Sequence, residues 1–161
     1  GVACWDREAR RRVVCGGWAG GGRAAGVVGH ANVCGAASAD CSVTNWLAFV
    51  GTTDGIGKYR NIESFPWDDT SEQLRRSPLM YVGNVTTPTM LMTGENDHRT
   101  PITQSEEFYQ ALKLRGIDTA LVRIPGASHA IVKRPSNMVN KVTCILSWFE
   151  KYGPGAGNKK D

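Results

Sequence analysis

The chain has 161 residues, 41% hydrophobic and 21% charged, with 19 basic and 15 acidic side chains and a net charge of +4. That composition suits one globular domain burying about two-thirds of its unfolded surface, holds no run near the roughly 18 apolar residues of a membrane span, and is too mildly basic to imply nucleic acid by itself. Gly1 to Asp6 lacks the charged-then-apolar pattern of a signal peptide, and five irregularly spaced cysteines form neither a disulfide framework nor a zinc pattern, so a cytoplasmic location is expected.

Composition changes abruptly near Cys41. Residues 1–41 hold four of the five cysteines, five arginines without a lysine, nine glycines, nine alanines, and no Leu, Ile, Phe, Tyr, Met or Pro. A stretch with no aliphatic side chain larger than valine is poorly equipped to fill a core. Within it, Val13-Val14-Cys15 reads as a short strand entering a glycine turn, and Gly20 to Gly29 as a helix candidate. Ser42 to Val50 is apolar and fits either a strand end or a helix, while Gly51 to Pro78 reads as polar loop anchored by Phe65 and Trp67. Thr89 to Thr93, closed by Gly94, suits a buried parallel strand. Thr100-Pro101 offers an N-cap and a first-turn proline; Ile102, Ser105, Phe108, Tyr109 and Leu112 share one face, and Gly116 stops that helix. Thr119 to Ile124 predicts the next strand, closed by Pro125-Gly126. Pro135 opens a final helix with Met138, Val139, Val142, Ile145, Leu146 and Phe149 on one side. Strand, helix, strand, helix with short loops predicts a mostly parallel sheet flanked by helices over residues 1–152, with 153–161 a disordered tail.

Catalytic groups in open parallel sheets gather beyond the carboxyl ends of the strands. Two segments put acid–base residues there: Gly94 to Pro101, with Asp97, and Gly126 to Ala130, with His129. Neighbouring parallel strands would bring both to one edge. There an aspartate supports the tautomer of an imidazole and stabilises the imidazolium formed when it takes a proton. The competing reading makes Asp97 a helix cap and leaves His129 in a solvated turn.

Ser42-Val43-Thr44-Asn45-Trp46, Arg76-Ser77-Pro78-Leu79 with Tyr81, Thr87-Pro88-Thr89, Gly94-Glu95-Asn96-Asp97 and Pro125-Gly126-Ala127-Ser128-His129, in that order, resemble the catalytic domain of the prolyl oligopeptidase family, nearest its acylaminoacyl-peptidase and dipeptidyl-peptidase branch. The resemblance runs from Ser42 to Tyr152. It implies the C-terminal part of an α/β-hydrolase fold and serine-peptidase chemistry (a hydrolase) on short or N-acylated peptides, with no cofactor and no metal. It makes Asp97 the acid and His129 the base, and gives Arg99 a substrate contact, against which stands a plain surface ion pair. The family's serine sits in Gly-Gly-Ser-x-Gly-Gly, a strand-to-helix turn that exposes the hydroxyl. Counting back from Gly29-His30 places that turn at Gly16-Gly17-Trp18-Ala19-Gly20-Gly21, with Trp18 in the nucleophile position. An indole has only an N–H donor and cannot attack a carbonyl. Cys15 lies three residues early, and Ser38, Ser42 and Ser128 have no such turn around them. Either the chain is a pseudoenzyme, or a reading-frame slip over residues 1–41 hides a Gly-x-Ser-x-Gly. Hydrolase domains of this family run to roughly 250 residues, so the chain is expected to be a fragment lacking the upstream β-propeller and part of the oxyanion hole.

Three functions stay open: the peptidase, an inactive binding module on the same fold, and an esterase, because Asp and His loops do not separate ester from amide substrates. A peptide substrate is the expected partner, with neither nucleic acid nor membrane, and a homo-oligomer is entertained for the full-length protein. Arg10-Arg11-Arg12 with Arg7 and Arg23 lacks the aromatic run of a nucleic-acid surface. His30, His98 and His129 are too scattered in sequence for a metal site, and Trp46, Phe49 and Trp67 either line a pocket or pack in the core.

Overall fold

The computed structural model describes residues 3–4, 13–17, 19–30, 34–55 and 64–153. Trp18, the cluster of Arg7 with Arg10, Arg11 and Arg12, and the expected tail from position 154 onward lie outside these residues. A five-stranded sheet runs in the spatial order β1 (Ala3–Cys4), β2 (Val13–Gly17), β3 (Ala36–Asp40), β4 (Thr89–Gly94) and β5 (Thr119–Ile124). β1 is antiparallel to β2, and every other pair is parallel. α1 (Ala19–His30) links β2 to β3, α2 (Trp46–Thr52) and α3 (Ser71–Arg76) lie between β3 and β4, α4 (Ile102–Leu114) links β4 to β5, and α5 (Pro135–Tyr152) closes the fold. This is the mostly parallel, helix-flanked sheet that the sequence predicts.

Successive strand residues point to opposite faces, and the core divides accordingly. Val14, Ala37, Ala39 and Leu91 pack with Ala24 and Val28 of α1 and with Phe108 and Leu112 of α4. Ala36, Met90, Met92 and Ile124 pack on the other side with Ile131 and Trp148. The segment before Cys41 therefore does build core, since Val14, Ala24, Ala25, Val28, Ala36, Ala37 and Ala39 are all buried. Small side chains let α1 lie close to its neighbours. At its end, a Cβ on Gly29 would stand 3.0 Å from the Tyr81 Cβ in the 3₁₀ segment Pro78–Asn84.

The ambiguous run Ser42 to Val50 splits at Asn45. Its Oδ1 accepts from the Leu47 and Ala48 amides and starts α2. Buried Gln104 of α4 fixes the approach, its Oε1 accepting from the Thr44 and Asn45 amides at 3.0 and 2.8 Å.

Two expectations about apolar residues are corrected, the Trp67 anchor and the inward side of α5. Trp67 is no anchor: it is 73% exposed and stacks on Phe65. Of the aromatics offered as pocket or core, Phe49 is buried and Trp46 is half-covered beneath the Arg76 guanidinium. Along α5, Met138, Val139, Val142 and Leu146 face solvent, while Ile145, Trp148, Phe149 and Tyr152 meet the sheet. Rotation of this helix follows Lys141, whose Nζ reaches Asp40 Oδ2 at 2.7 Å, and the indole of Trp148, both on the inner side. No described helix is long and apolar enough to cross a membrane.

Candidate active site

β4 and β5 end level, with Gly94 opposite Ile124. The loops that leave them are tied together by the Glu95 amide donating to the Ile124 carbonyl (3.1 Å) and the Asn96 amide donating to the Ala127 carbonyl (2.9 Å). This approach requires glycine at 94, because a Cβ would run into the Ala127 carbonyl and lie 2.8 Å from the Ser128 oxygen. Both obstacles are backbone and cannot swing aside. Gly94→Ala is expected to destabilise the chain by about 1–3 kcal/mol through overpacking, read as a lower urea midpoint. An unchanged midpoint would contradict the close approach.

The two loops bring Asp97 and His129 together. Asp97 Oδ2 lies 2.8 Å from His129 Nδ1, and the carboxylate side chain is fully buried while the imidazole keeps 19% exposure. The other oxygen, Oδ1, accepts from the Arg99 amide (2.9 Å) and the Thr100 amide (2.8 Å). Asp97 thus meets the ring through one oxygen and closes the turn before α4 through the other, so the competing reading of a helix cap beside an unpartnered turn histidine does not hold. Thr100 is not the N-cap either: α4 starts at Ile102, after Pro101, which brings no side-chain cap. A carboxylate pinned by two backbone donors cannot rotate away, so its second oxygen stays aimed at the ring.

Arg99 takes the surface ion pair. Its Nε lies 2.5 Å from Asp54 Oδ1, and both side chains are about half exposed. Thr53 Oγ1 donates to the Arg99 carbonyl and the Asp54 amide to the His98 carbonyl, clamping this loop onto the segment after α2. The guanidinium holds the Asp54 carboxyl below its ordinary range.

On the same sheet edge β2 ends at Gly17 and α1 begins at Ala19. Position 18, to which the family resemblance assigns the nucleophile and where the sequence has Trp18, falls between them in the chain and outside the described residues. Ser38 and Ser42 are buried and Ser128 is exposed in its turn. Cys15 pairs in register with Ser38 on β3, and burial raises its pKa.

Sequence reasoning missed two features at this edge. Asp40, 2% exposed at the end of β3, pairs with Lys141 and accepts from Ser38 Oγ (3.3 Å). Cys41 follows it in the left-handed conformation (φ 46°), also 2% exposed, with its amide bonded to the Met92 carbonyl and its thiol 3.8 Å from the His129 carbonyl. Burial, and next the Asp97 carboxylate, push that thiol up to about 12. The available signal was positional: both residues stand at the carboxyl end of a parallel strand.

The family model described as the prolyl oligopeptidase family matches residues 8–154. Among curated proteins, the chain is 37% identical over 150 residues to the uncharacterized peptidase YuxL of Bacillus subtilis, covering 90% of this chain and 23% of that one. It is 33% identical over 155 residues to the acylamino-acid-releasing enzyme of Rattus norvegicus, covering 90% and 21%. Among solved structures, the uncomplexed acylaminoacyl peptidase of Pyrococcus horikoshii superposes with a TM-score of 0.84 at 22% identity, covering 90% of this chain and 24% of that one. The chain spans less than a quarter of the length of each of these proteins. Its sheet and helices are those of the α/β-hydrolase part of such a peptidase. With a matching family model that runs from before β2 to the end of α5 and takes in both loops that join at Asp97 and His129, the chain belongs to the prolyl oligopeptidase family.

Proposed function

We propose that the chain carries the acid–base half of a serine-peptidase site, which in the whole protein acts on short or N-acylated peptides. His129 is the general base toward a nucleophile at position 18 and then the general acid toward the leaving amine, and Asp97 holds its tautomer and stabilises the imidazolium. The contact between Asp97 Oδ2 and His129 Nδ1 carries this reading. Trp18 has no atom able to attack a carbonyl, so the chain as it stands does not form an acyl-enzyme. Arg99, exposed on the loop between Asp97 and α4, is the residue offered to substrate once Asp54 releases it. The acylamino-acid-releasing enzymes among the relatives support an N-acylated substrate.

A fluorophosphonate probe, which reacts with activated serines, tests the assignment. The native chain is expected to stay unlabelled, Trp18→Ser to acquire labelling, and Trp18→Ser with His129→Gln to lose it. Labelling of the native chain, absence of labelling in a folded Trp18→Ser chain, or labelling indifferent to His129 would each overturn the proposal. Faster turnover of a simple ester than of an N-acylated aminoacyl amide by Trp18→Ser would move the substrate class to esters.

A further inference from the structure

We propose that Cys41, Asp97 and His129 form a site for one soft divalent cation of the zinc class, whose occupancy takes the imidazole away from its carboxylate. A sulfur, a carboxylate oxygen and a ring nitrogen of these residues all lie within 4.8 Å of one another. Each comes from the carboxyl end of a different parallel strand, after β3, β4 and β5 respectively. Tetrahedral zinc, with sulfur at about 2.3 Å and nitrogen or oxygen at about 2.0–2.2 Å, sets its ligand atoms roughly 3.3–3.7 Å apart. The 2.8 Å Asp97–His129 contact must open slightly to admit the ion, and the sulfur already lies within 4.8 Å of both other donors.

The backbone already directs the sulfur inward. Cys41 leaves β3 in the left-handed conformation, held by its amide to Met92, and its thiol points toward the His129 carbonyl. Met92, Ala127 and Ile131 pack in the same cluster and keep water from the sulfur. Asp97 is steadied through its other oxygen by the Arg99 and Thr100 amides, support that orients a ligand without occupying the metal. A thiolate with an imidazole selects zinc-like ions over magnesium or calcium, which prefer all-oxygen sets. Three protein donors leave a fourth tetrahedral position to water, as three-ligand zinc sites do. On binding, the Cys41 S–H proton passes to solvent. The metal takes the Nδ1 lone pair of a neutral imidazole, so the ring proton resides on Nε2.

The cation site stands on these three side chains alone; only the claim that occupancy silences an acid–base pair rests on the peptidase reading. Titrating the full chain with cobalt(II) is expected to give a single-thiolate charge-transfer absorption at one equivalent, bleached by added zinc. Cys41→Asn, chosen because asparagine tolerates the left-handed conformation, and His129→Gln should each weaken binding by about tenfold or more, whereas Cys15→Ser should leave it intact. His129→Gln leaves the sulfur untouched and keeps the test valid if Cys41→Asn does not fold. No saturable cobalt or zinc binding, or a thiolate absorption that survives both substitutions, would overturn the proposal. Zinc binding in a chain whose Trp18→Ser labelling ignores His129 would leave the cation site standing and the peptidase reading fallen. Labelling that needs His129 in a chain that binds no zinc would do the reverse.

Discussion

Asp97→Asn in a Trp18→Ser chain is expected to lower fluorophosphonate labelling by about 10⁴-fold with little change in stability. The reason lies in the two backbone amides. Arg99 and Thr100 donate to Oδ1 of residue 97, so an asparagine there must place its carbonyl oxygen toward them and its amide nitrogen toward the ring. An N–H donor facing His129 Nδ1 forces that nitrogen to accept, which puts the ring proton on Nε2 and leaves no base for a hydroxyl. The turn before α4 keeps its acceptor because the carbonyl oxygen is retained. Asp97→Ala loses both roles, leaves the Arg99 and Thr100 amides without that acceptor and should cost about 1 kcal/mol more in stability. Labelling of the asparagine variant within tenfold of its parent would show that the carboxylate does not set the tautomer.

Lys141→Met is expected to destabilise the chain by about 3–5 kcal/mol at neutral pH, because it strands a buried carboxylate. Asp40 is 2% exposed, and burial already raises its carboxyl above the ordinary 3.8 while Lys141 pulls it back. Burial likewise works against the Lys141 ammonium, but the Asp40 carboxylate outweighs it and leaves the lysine raised. Without the lysine, Asp40 escapes by holding a proton. The native state then binds that proton more tightly than the unfolded chain. The resulting stability is complete below about pH 3.8 and is lost as pH rises through the higher folded-state value. The difference between variant and parent should therefore shrink on acidification, and Asp40→Asn should rescue Lys141→Met. A loss under about 1 kcal/mol, flat with pH, would mean that the pair is solvated.

The second half of the fold was legible because its punctuation is local. Thr119 to Ile124 is observed with the expected bounds, and Gly116 ends α4 at a positive φ of 71°. Pro101 and Pro135 mark two helix starts. α3 was lost inside an expected loop because Ser71–Arg76 has one apolar side chain and no period, and it is knit by Glu72 with Arg75 and Arg76. The split at Asn45 was hidden because Gln104, far along the chain, holds the backbone before it. Both site loops could be placed from strand order, and so could their meeting. Cys41 and the Asp40–Lys141 pair could not, because which face of a buried strand meets which helix is decided by packing across the sheet. The exposed stripe on α5 shows the same limit: helical spacing identifies an apolar side but not where that side points.

The level ends of β4 and β5 turn backbone pairing into a ruler for the chemistry. Each strand residue advances about 3.3 Å, so sliding β5 by one step against Gly94 would separate carboxylate from imidazole by more than a hydrogen bond's reach and flip the strand's inward residues outward. Short, mutually bonded loops have no slack to absorb such a step. An inserted residue in either strand would therefore part acid from base even with both side chains intact, because their alignment is set by main-chain pairing.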